Sequence, residues 1–370
     1  MIVNRIAQKC RRHVSALLAN LRARGVFYVC NPQGIWSFFW DGYYITEGLK
    51  GIGVRADMTD DPWLLRRQII HFGDRYAFFN GPPERLHPSN KVFLTWFHGE
   101  ASDPNPEMRR MLETLAAGAE RLEGIVVTCE ISRRVLIEAG VPAEKLTTIP
   151  LGVDLSRFVP VSAGQRERIR RELGVPENVV CIGSFQKDGA GWGDGAEPKL
   201  VKGPDVFLDA MARLWRTRKD LFVLLTGPAR GYVKERLKRI GIPCLHRNLA
   251  QYHDIIPYYQ ALDLYVIASR AEGGPKALLE SWATGVPVVS TRVGMPADLI
   301  EDGANGFLCD IEDAEALAEA ASTLASDKAL RARVAAKALE TVRSYDWPLI
   351  AERYCRELYR PVIGSIEKPQ

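Results

Sequence analysis

The chain has 370 residues, 46% of them hydrophobic and 25% charged, with a formal net charge of +4. The length suits two domains rather than one core, and the mild basic excess fits an anionic ligand while falling short of a nucleic-acid-binding signature. Seven cysteines stand singly, with no CxxC pair and no His/Cys cluster, which argues against a disulfide framework or a zinc site and for a reducing cytoplasm.

The opening segment, "NRIAQKCRRHVSALLANLRARG", reads as a basic helix ending at Gly25, with Ile6, Val14, Leu17, Leu18 and Leu21 able to share an apolar face. It suits either peripheral contact with a membrane surface or packing on its own domain. No apolar run approaches membrane-spanning length, and no signal-peptide core is evident. Short apolar runs then alternate with helical patterns. "VFYVC" (26–30), "YAFF" (76–79), "KVFLTWF" (91–97) and "GIVVTC" (124–129) read as strands, and "MRRMLETLAAGAERL" and "ISRRVLIEAG" as helices. That alternation predicts a parallel sheet covered by helices.

"LTTIPLGVDLSRFVP" (146–160) interrupts the rhythm, and a polar, basic stretch from Ser162 to Arg171 follows. The expected division is therefore 1–165, with 345–370 crossing back to it, and 166–344. The rhythm restarts with "VVCIGSF" (179–185), "FVLLTG" (222–227), "LDLYVIA" (262–268), "VPVVST" (286–291) and "GFLC" (306–309), with helices such as "PDVFLDAMARLWRT" between them. Two α/β domains of this kind gather ligands at the carboxyl ends of their strands, which makes the cleft between them the expected site. The final "SYDWPLIAERYCRELYR" reads as one amphipathic helix.

Three stretches carry chemistry. In "SRAEGGPKALLE", Glu272 lies in the loop after a buried strand, and Glu280 lies about two turns into the helix that Pro275 opens. Gly273 and Gly274 leave backbone N–H groups and the helix dipole open to an anion. Lys276, of the wrong sign for that dipole, would be relieved by a phosphate. Donors and cations suit phosphate, carboxylates suit hydroxyls, and a nucleoside-diphosphate sugar has both in a row. Two glutamates eight apart are also what a plain surface helix would show by chance. In the second stretch, "QKDGAGWGDGAEPKLVKGPDVF", the G-x-G-x-x-A run (Gly191, Gly193, Ala196) opens no helix and reads as a flexible loop. Lys202 precedes the Gly203-Pro204 helix start and is either a phosphate ligand or one more exposed lysine. In the third, "TWFHGEAS", a strand end delivers His98 and Gly99.

These residues resemble a known family. "EGGPKALLESWATGVPVVSTRVGMPADLIEDGANGFLC" (272–309) is similar to the donor-site segment of the GT-B retaining glycosyltransferases of family 4, with its E-x7-E motif. "IPLGVDLSRFVP", "IGSF…VKGPDVFLDA", "IPYYQALDLYVIASRAEGG" and "YDWPLIAERYCRELY" follow in the family's order. The likeness runs from about Lys91 to Arg360 and is loose over the first ninety residues, where "NPQGIWSFFWDGYYITEGLKGIG" replaces a Gly-rich loop. The resemblance implies α/β architecture, GT-B, with two Rossmann-like domains facing across a cleft and a C-terminal helix crossing back.

It further implies that Glu280 binds ribose hydroxyls and Glu272 the transferred sugar. Gly273 and Gly274 would face sugar and diphosphate, Lys202 would neutralise the diphosphate, and His98 would lie near the donor sugar. Catalytic roles thus fall to His98, Lys202 and Glu272, and donor binding to Gly183, Ser184, Lys202, Gly273, Gly274, Lys276 and Glu280. Where the family has an arginine after its strand-end glycine, Gly183 is followed by Ser184, leaving Lys187, Lys199 or Lys276 to supply that charge. Cys129 replaces a family serine. The implied activity is retaining, metal-independent transfer of a hexose-type sugar from a nucleotide-diphosphate sugar to a saccharide or lipid-linked acceptor. No cofactor is implied, and the setting would be bacterial polysaccharide or glycolipid assembly in the cytoplasm or at the inner face of its membrane. A nucleotide-sugar 2-epimerase-like isomerase and a non-catalytic nucleotide-sugar binder are the competing readings. The aromatics Trp36, Phe38, Phe39, Trp40, Tyr43 and Tyr44 suit either an acceptor surface or core.

Overall fold

Among the described residues, twelve short strands, rich in β-branched and aromatic residues, pair in parallel throughout. They belong to a computed structural model that describes residues 16–30, 37–73, 75–99 and 105–363. The chain divides into two units, one running to Leu151 and resuming at Trp347, the other Gly152–Asp346. The division thus falls before the expected 165, which lies inside a helix. The basic stretch there is the helix Ala163–Leu173, started by a reciprocal Ser162–Gln165 capping box and stopped by left-handed Gly174.

The first unit holds β1 (Val26–Val29), β2 (Ala56–Thr59), β3 (Ile69–Phe72), β4 (Lys91–Trp96), β5 (Gly124–Val127) and β6 (Leu146–Thr148), in the order β2-β1-β3-β4-β5-β6. Its core gathers Ile70, Phe72, Leu94, Trp96, Ile125 and Val127 against Met111, Leu112 and Leu115 of the helix Pro106–Gly118. The run "YAFF" is not a strand. It follows β3 almost at once, and Arg75–Phe79 coils into a short helix that sets Phe78 on Phe72 and Phe79 on Trp96. Of the opening helix expected to end at Gly25, the part before residue 16 lies outside the described residues, Ala16–Asn20 is helical, and residues 21–25 form a turn and an irregular link instead. There Ala16 and Ala19 face inward, whereas the leucines expected to form the apolar face are exposed, Leu21 at 74%.

In the helix Ser37–Gly51 the aromatics pack within the unit: Phe38 lies against Phe97 and Tyr44 stacks on Trp347, with ring centroids 5.5 Å apart. Trp36 lies outside the described residues. The closing segment is not one continuous α-helix. Trp347–Tyr354 is α-helical and Cys355–Tyr359 widens to a π-helix. Tyr359 thereby meets buried His71, its hydroxyl 2.6 Å from Nδ1, while Thr95 Oγ1 lies 2.8 Å from Nε2.

The second unit holds β7 (Val180–Phe185), β8 (Leu221–Thr226), β9 (Cys244–Arg247), β10 (Leu264–Ile267), β11 (Val288–Thr291) and β12 (Phe307–Cys309), ordered β12-β11-β10-β7-β8-β9. The sequence pattern missed β2, β3, β6 and β9. The strand order reverses between β7 and β10, the switch point beyond which ligands bind in sheets of this type. The helix Pro204–Thr217 packs Phe207, Met211 and Leu214 into a core with Val223, Leu225 and Val266. Among the described residues, no helix is long and apolar enough to cross a membrane.

Candidate nucleotide-sugar site

The loops leaving β7 and β10 meet beside this switch point. After β7 the chain reaches Lys202 at the end of a short 3-10 turn, Leu200–Lys202, and passes through Gly203 into the helix Pro204–Thr217. Gly203 is left-handed (φ 59°), and a Cβ there would collide with the Ala268 carbonyl at the end of β10, so the close approach of the two loops needs glycine. After β10, Arg270 ties the loops together. It donates to both carboxylate oxygens of Asp205 (2.7 Å each) and to the Leu200 carbonyl, while its own N–H donates to the Val201 carbonyl. Hydrogen bonds from Arg270 hold the Asp205 carboxyl below its ordinary range.

The result is an ion pair. Lys202 Nζ lies 2.6 Å from Glu272 Oε1, with the side chains only 19% and 10% exposed. Buried Ser269 donates to the same oxygen at 3.0 Å, and Thr291 in turn donates to the Ser269 carbonyl at 2.6 Å. Gln186 donates to the Lys202 carbonyl. Behind Glu272, the Gly273 carbonyl accepts from Met295 N–H (2.9 Å); Gly294 lacks the Cβ that would strike that carbonyl. Pro275 caps the helix Lys276–Ala283 rather than entering its first turn, which makes Lys276 its first residue. Lys276 Nζ sits 5.5 Å from the centre of the Tyr252 ring. About one turn on, not the two expected, Glu280 is 4% exposed and accepts from Tyr252 on Oε1 and from Tyr259 on Oε2 (2.7 Å). Burial, then the Glu280 charge, raises the Tyr259 phenol well above its ordinary pKa.

Ser184 has a guanidinium beside it after all, from the loop after β8. Arg230, fully buried, donates to the Ser184 carbonyl (2.6 Å), the Ser184 hydroxyl (3.2 Å) and the Thr226 carbonyl (2.9 Å), and its Nε lies 2.9 Å from Asp188 Oδ1. Burial pushes the Asp188 carboxyl up, against the pull of Arg230. This pair corrects the expectation of a flexible loop at 189–196. The segment is pinned by Asp188, by a Gly189–Pro198 bridge, and by Gly231 and Tyr232 N–H groups donating to the Asp194 and Gly195 carbonyls. Of the cations expected to stand in for an arginine, Lys187 lies over the Trp192 ring at 3.8 Å and Lys276 over Tyr252. Lys199 leads into the Lys202 turn, its N–H donating to the Asp188 carbonyl.

Lys202, Glu272, Gly273, Gly274, Lys276 and Glu280 thus share one edge of the second unit's sheet, with Gly183 and Ser184 on neighbouring β7. His98 belongs to the first unit, just beyond β4, where its carbonyl accepts from Arg75 and the preceding Phe97 carbonyl accepts from Ser132 (2.5 Å). Cys129 serves its helix as the family serine would, its Sγ accepting from Ser132 N–H at 3.4 Å. Sequence reasoning passed over Arg230, Ser269, Tyr252 and Tyr259. "TGPAR" after β8 and the first and last tyrosines of "YHDIIPYY" were visible, but nothing local ties them to Ser184 or Glu280.

Comparison with known proteins bears on the family and the fold. The family of glycosyl transferases group 1 matches residues 197–341, and glycosyltransferase family 4 matches residues 61–157, together more than half the chain. The chain belongs to the family 4 glycosyltransferases. A D-inositol 3-phosphate glycosyltransferase of Corynebacterium urealyticum is 29% identical over 70% of this chain and 61% of its own. A lipopolysaccharide core biosynthesis mannosyltransferase of Rhizobium meliloti is 30% identical over 52% of this chain and 54% of its own. The chain therefore matches less than two thirds of the length of these relatives. Among solved structures, Anabaena HepE in complex with UDP-glucose has a TM-score of 0.73 at 19% identity, covering 90% of this chain and 99% of its own. Sucrose-phosphate synthase of Thermosynechococcus elongatus has a TM-score of 0.72 at 18% identity, covering 92% and 99%. These likenesses concern the fold, which is GT-B with two Rossmann-like units.

Proposed function

We propose that the protein transfers a hexose-type sugar from a nucleoside-diphosphate sugar to a saccharide or lipid-linked acceptor, with retention of configuration and without a metal. The observation that carries this is the Lys202–Glu272 pair at the switch point, with buried Glu280 eight residues on. An ammonium paired with one carboxylate, then a helix start, then a second carboxylate match a diphosphate flanked by a sugar and a ribose.

In transfer, the bond from the anomeric carbon to the diphosphate oxygen breaks, and the acceptor hydroxyl oxygen bonds to that carbon from the same side. The acceptor proton passes to the departing phosphate. The transition state is oxocarbenium-like, with negative charge growing on the leaving group, and fixed cations and N–H donors lower its energy. Lys202 would turn to the phosphate, Glu272 would take sugar hydroxyls and orient the ring without acting as a nucleophile, and Gly273, Gly274 and Lys276 would complete the anion seat. His98 would serve the donor sugar from the first unit. Among the described residues no group of three His, Cys, Asp or Glu side chains could hold a metal. The lipopolysaccharide core biosynthesis relative supports a role in bacterial glycolipid or polysaccharide assembly, for which we propose a setting in the cytoplasm or peripherally at its membrane.

The test is a thermal-shift panel of UDP, GDP, ADP, CMP and their sugar conjugates on the wild type and Glu280→Ala. A ligand at a hundred times its dissociation constant stabilises by about 2.7 kcal/mol. One nucleotide should stabilise the wild type and lose its effect in the variant. The stabilising sugar nucleotide, incubated without acceptor, should stay largely unchanged. Its conversion to another sugar nucleotide would indicate an isomerase, and binding without transfer to any acceptor a non-catalytic binder.

A further inference from the structure

Both oxygens of Glu280 already accept from phenols, and the two tyrosines differ. Tyr259 is fully buried in the short helix Ile256–Gln260, packed against Phe185 and Tyr265 with ring centroids 4.9 and 5.6 Å away. Tyr252 begins the 3-10 turn Tyr252–Ile255, is half-buried, and has its ring between Phe158 and the Lys276 ammonium. Tyr259 thus approaches Glu280 from the core, and Tyr252 from the side nearer solvent. A carboxylate offers about four acceptor positions, and a hydroxyl pair arriving from solvent reaches first the oxygen that Tyr252 holds.

We propose that the Tyr252 hydroxyl holds the place of a ribose hydroxyl on Glu280 and yields it to an incoming nucleoside diphosphate. This rests on the reading of Glu280 as the ribose acceptor. Tyr252 then tempers the site's preference for ribose, because every ribonucleotide must break one charge-assisted hydrogen bond before making its own. The same displacement withdraws the ring from Lys276, the first residue of the helix whose N-terminus faces the diphosphate. Ribose recognition and the arrival of a second cation become one movement, in a chain that has Ser184 where the resemblance implies an arginine.

The experiment is calorimetric titration of UDP, GDP and ADP, each beside its dideoxy counterpart lacking both ribose hydroxyls, into the wild type, Tyr252→Phe and Glu280→Gln. Tyr252→Phe should bind the ribonucleotide about tenfold more tightly and its dideoxy counterpart with unchanged affinity, while Glu280→Gln should lose the preference for ribose. Unchanged or weaker ribonucleotide binding by Tyr252→Phe overturns the placeholder, and Glu280→Gln then still reports whether Glu280 receives ribose. A wild type that shows no ribose preference, or binds none of the three, overturns both readings.

Discussion

Lys202 and Glu272 form an ion pair across 70 residues of chain, and the same Glu272 oxygen accepts from Ser269. A lysine assigned to a diphosphate and a glutamate assigned to a sugar therefore hold each other in register. Each orients the other, and a bound sugar diphosphate would exchange that contact for two of its own. Lys202→Ala should lower turnover of the sugar nucleotide by about 100- to 1,000-fold, the usual effect of removing one donor to a developing anion. Glu272→Gln should act chiefly on the choice of sugar. Steady-state rates with several sugar conjugates of the nucleotide that binds will check both.

The buried Asp188–Arg230 pair bears on stability. Removing one partner leaves an uncompensated charge in the core, which costs about 3–5 kcal/mol. Asp188→Ala should shift the denaturation midpoint accordingly, whereas the double change Asp188→Leu, Arg230→Met should lose much less. Equal losses in both would show that the loop is held by its backbone contacts instead.

Gly203→Ala joins a left-handed backbone with a collision at Ala268. Strain of the first kind costs about 1–3 kcal/mol, and overpacking of the second adds a similar amount. The substitution should lower the melting temperature and weaken nucleotide binding together, because the turn it distorts carries Lys202. Calorimetric melting and titration of one sample will measure both.

His71 makes the first unit sensitive to acid. Burial holds its imidazole at a pKa of about 3, against roughly 6.5 in an unfolded chain. Its stabilising contribution is complete above pH 6.5. Below that the unfolded state takes up a proton that the folded state refuses, and stability should fall by about 1.4 kcal/mol per pH unit from this group until pH 3. Urea midpoints between pH 7 and 4, compared with those of His71→Gln, isolate the effect: the variant should be less stable at neutral pH and show a shallower slope.

Much of this arrangement was legible in advance. β7, β8, β10 and β11 are buried on both faces and read as continuous apolar runs. The helix Pro204–Thr217 declared itself by Gly203-Pro204 at its start. The edge strands Ala56–Thr59 and Cys244–Arg247 escaped because a half-exposed edge carries polar residues in no fixed alternation. "YAFF" misled because four apolar residues fit a strand or a helical turn equally, and only the proximity of β3 decides. Glu272, Glu280 and Lys202 were singled out as candidates by local chemistry together with the family resemblance. Their partners Ser269, Tyr252 and Tyr259, and the Arg230 beside Ser184, were not, since such contacts exist only once distant strands are set side by side.

The chain enters the second unit at Gly152 and leaves it at Asp346, and these ends are neighbours. Val153 N–H donates to the Tyr345 carbonyl (2.9 Å), Val153 bridges to Asp346, and the Asp346 carboxylate accepts from Leu155 N–H (3.3 Å). In the logic of gene architecture the second unit is an insert with its seam already sewn. The uninterrupted stretch 152–346 can be cut out and expressed by itself, whereas the other unit needs Leu151 rejoined to Trp347. On the proposed function, exchange of this insert between relatives should change the sugar nucleotide while leaving the rest of the chain as it is.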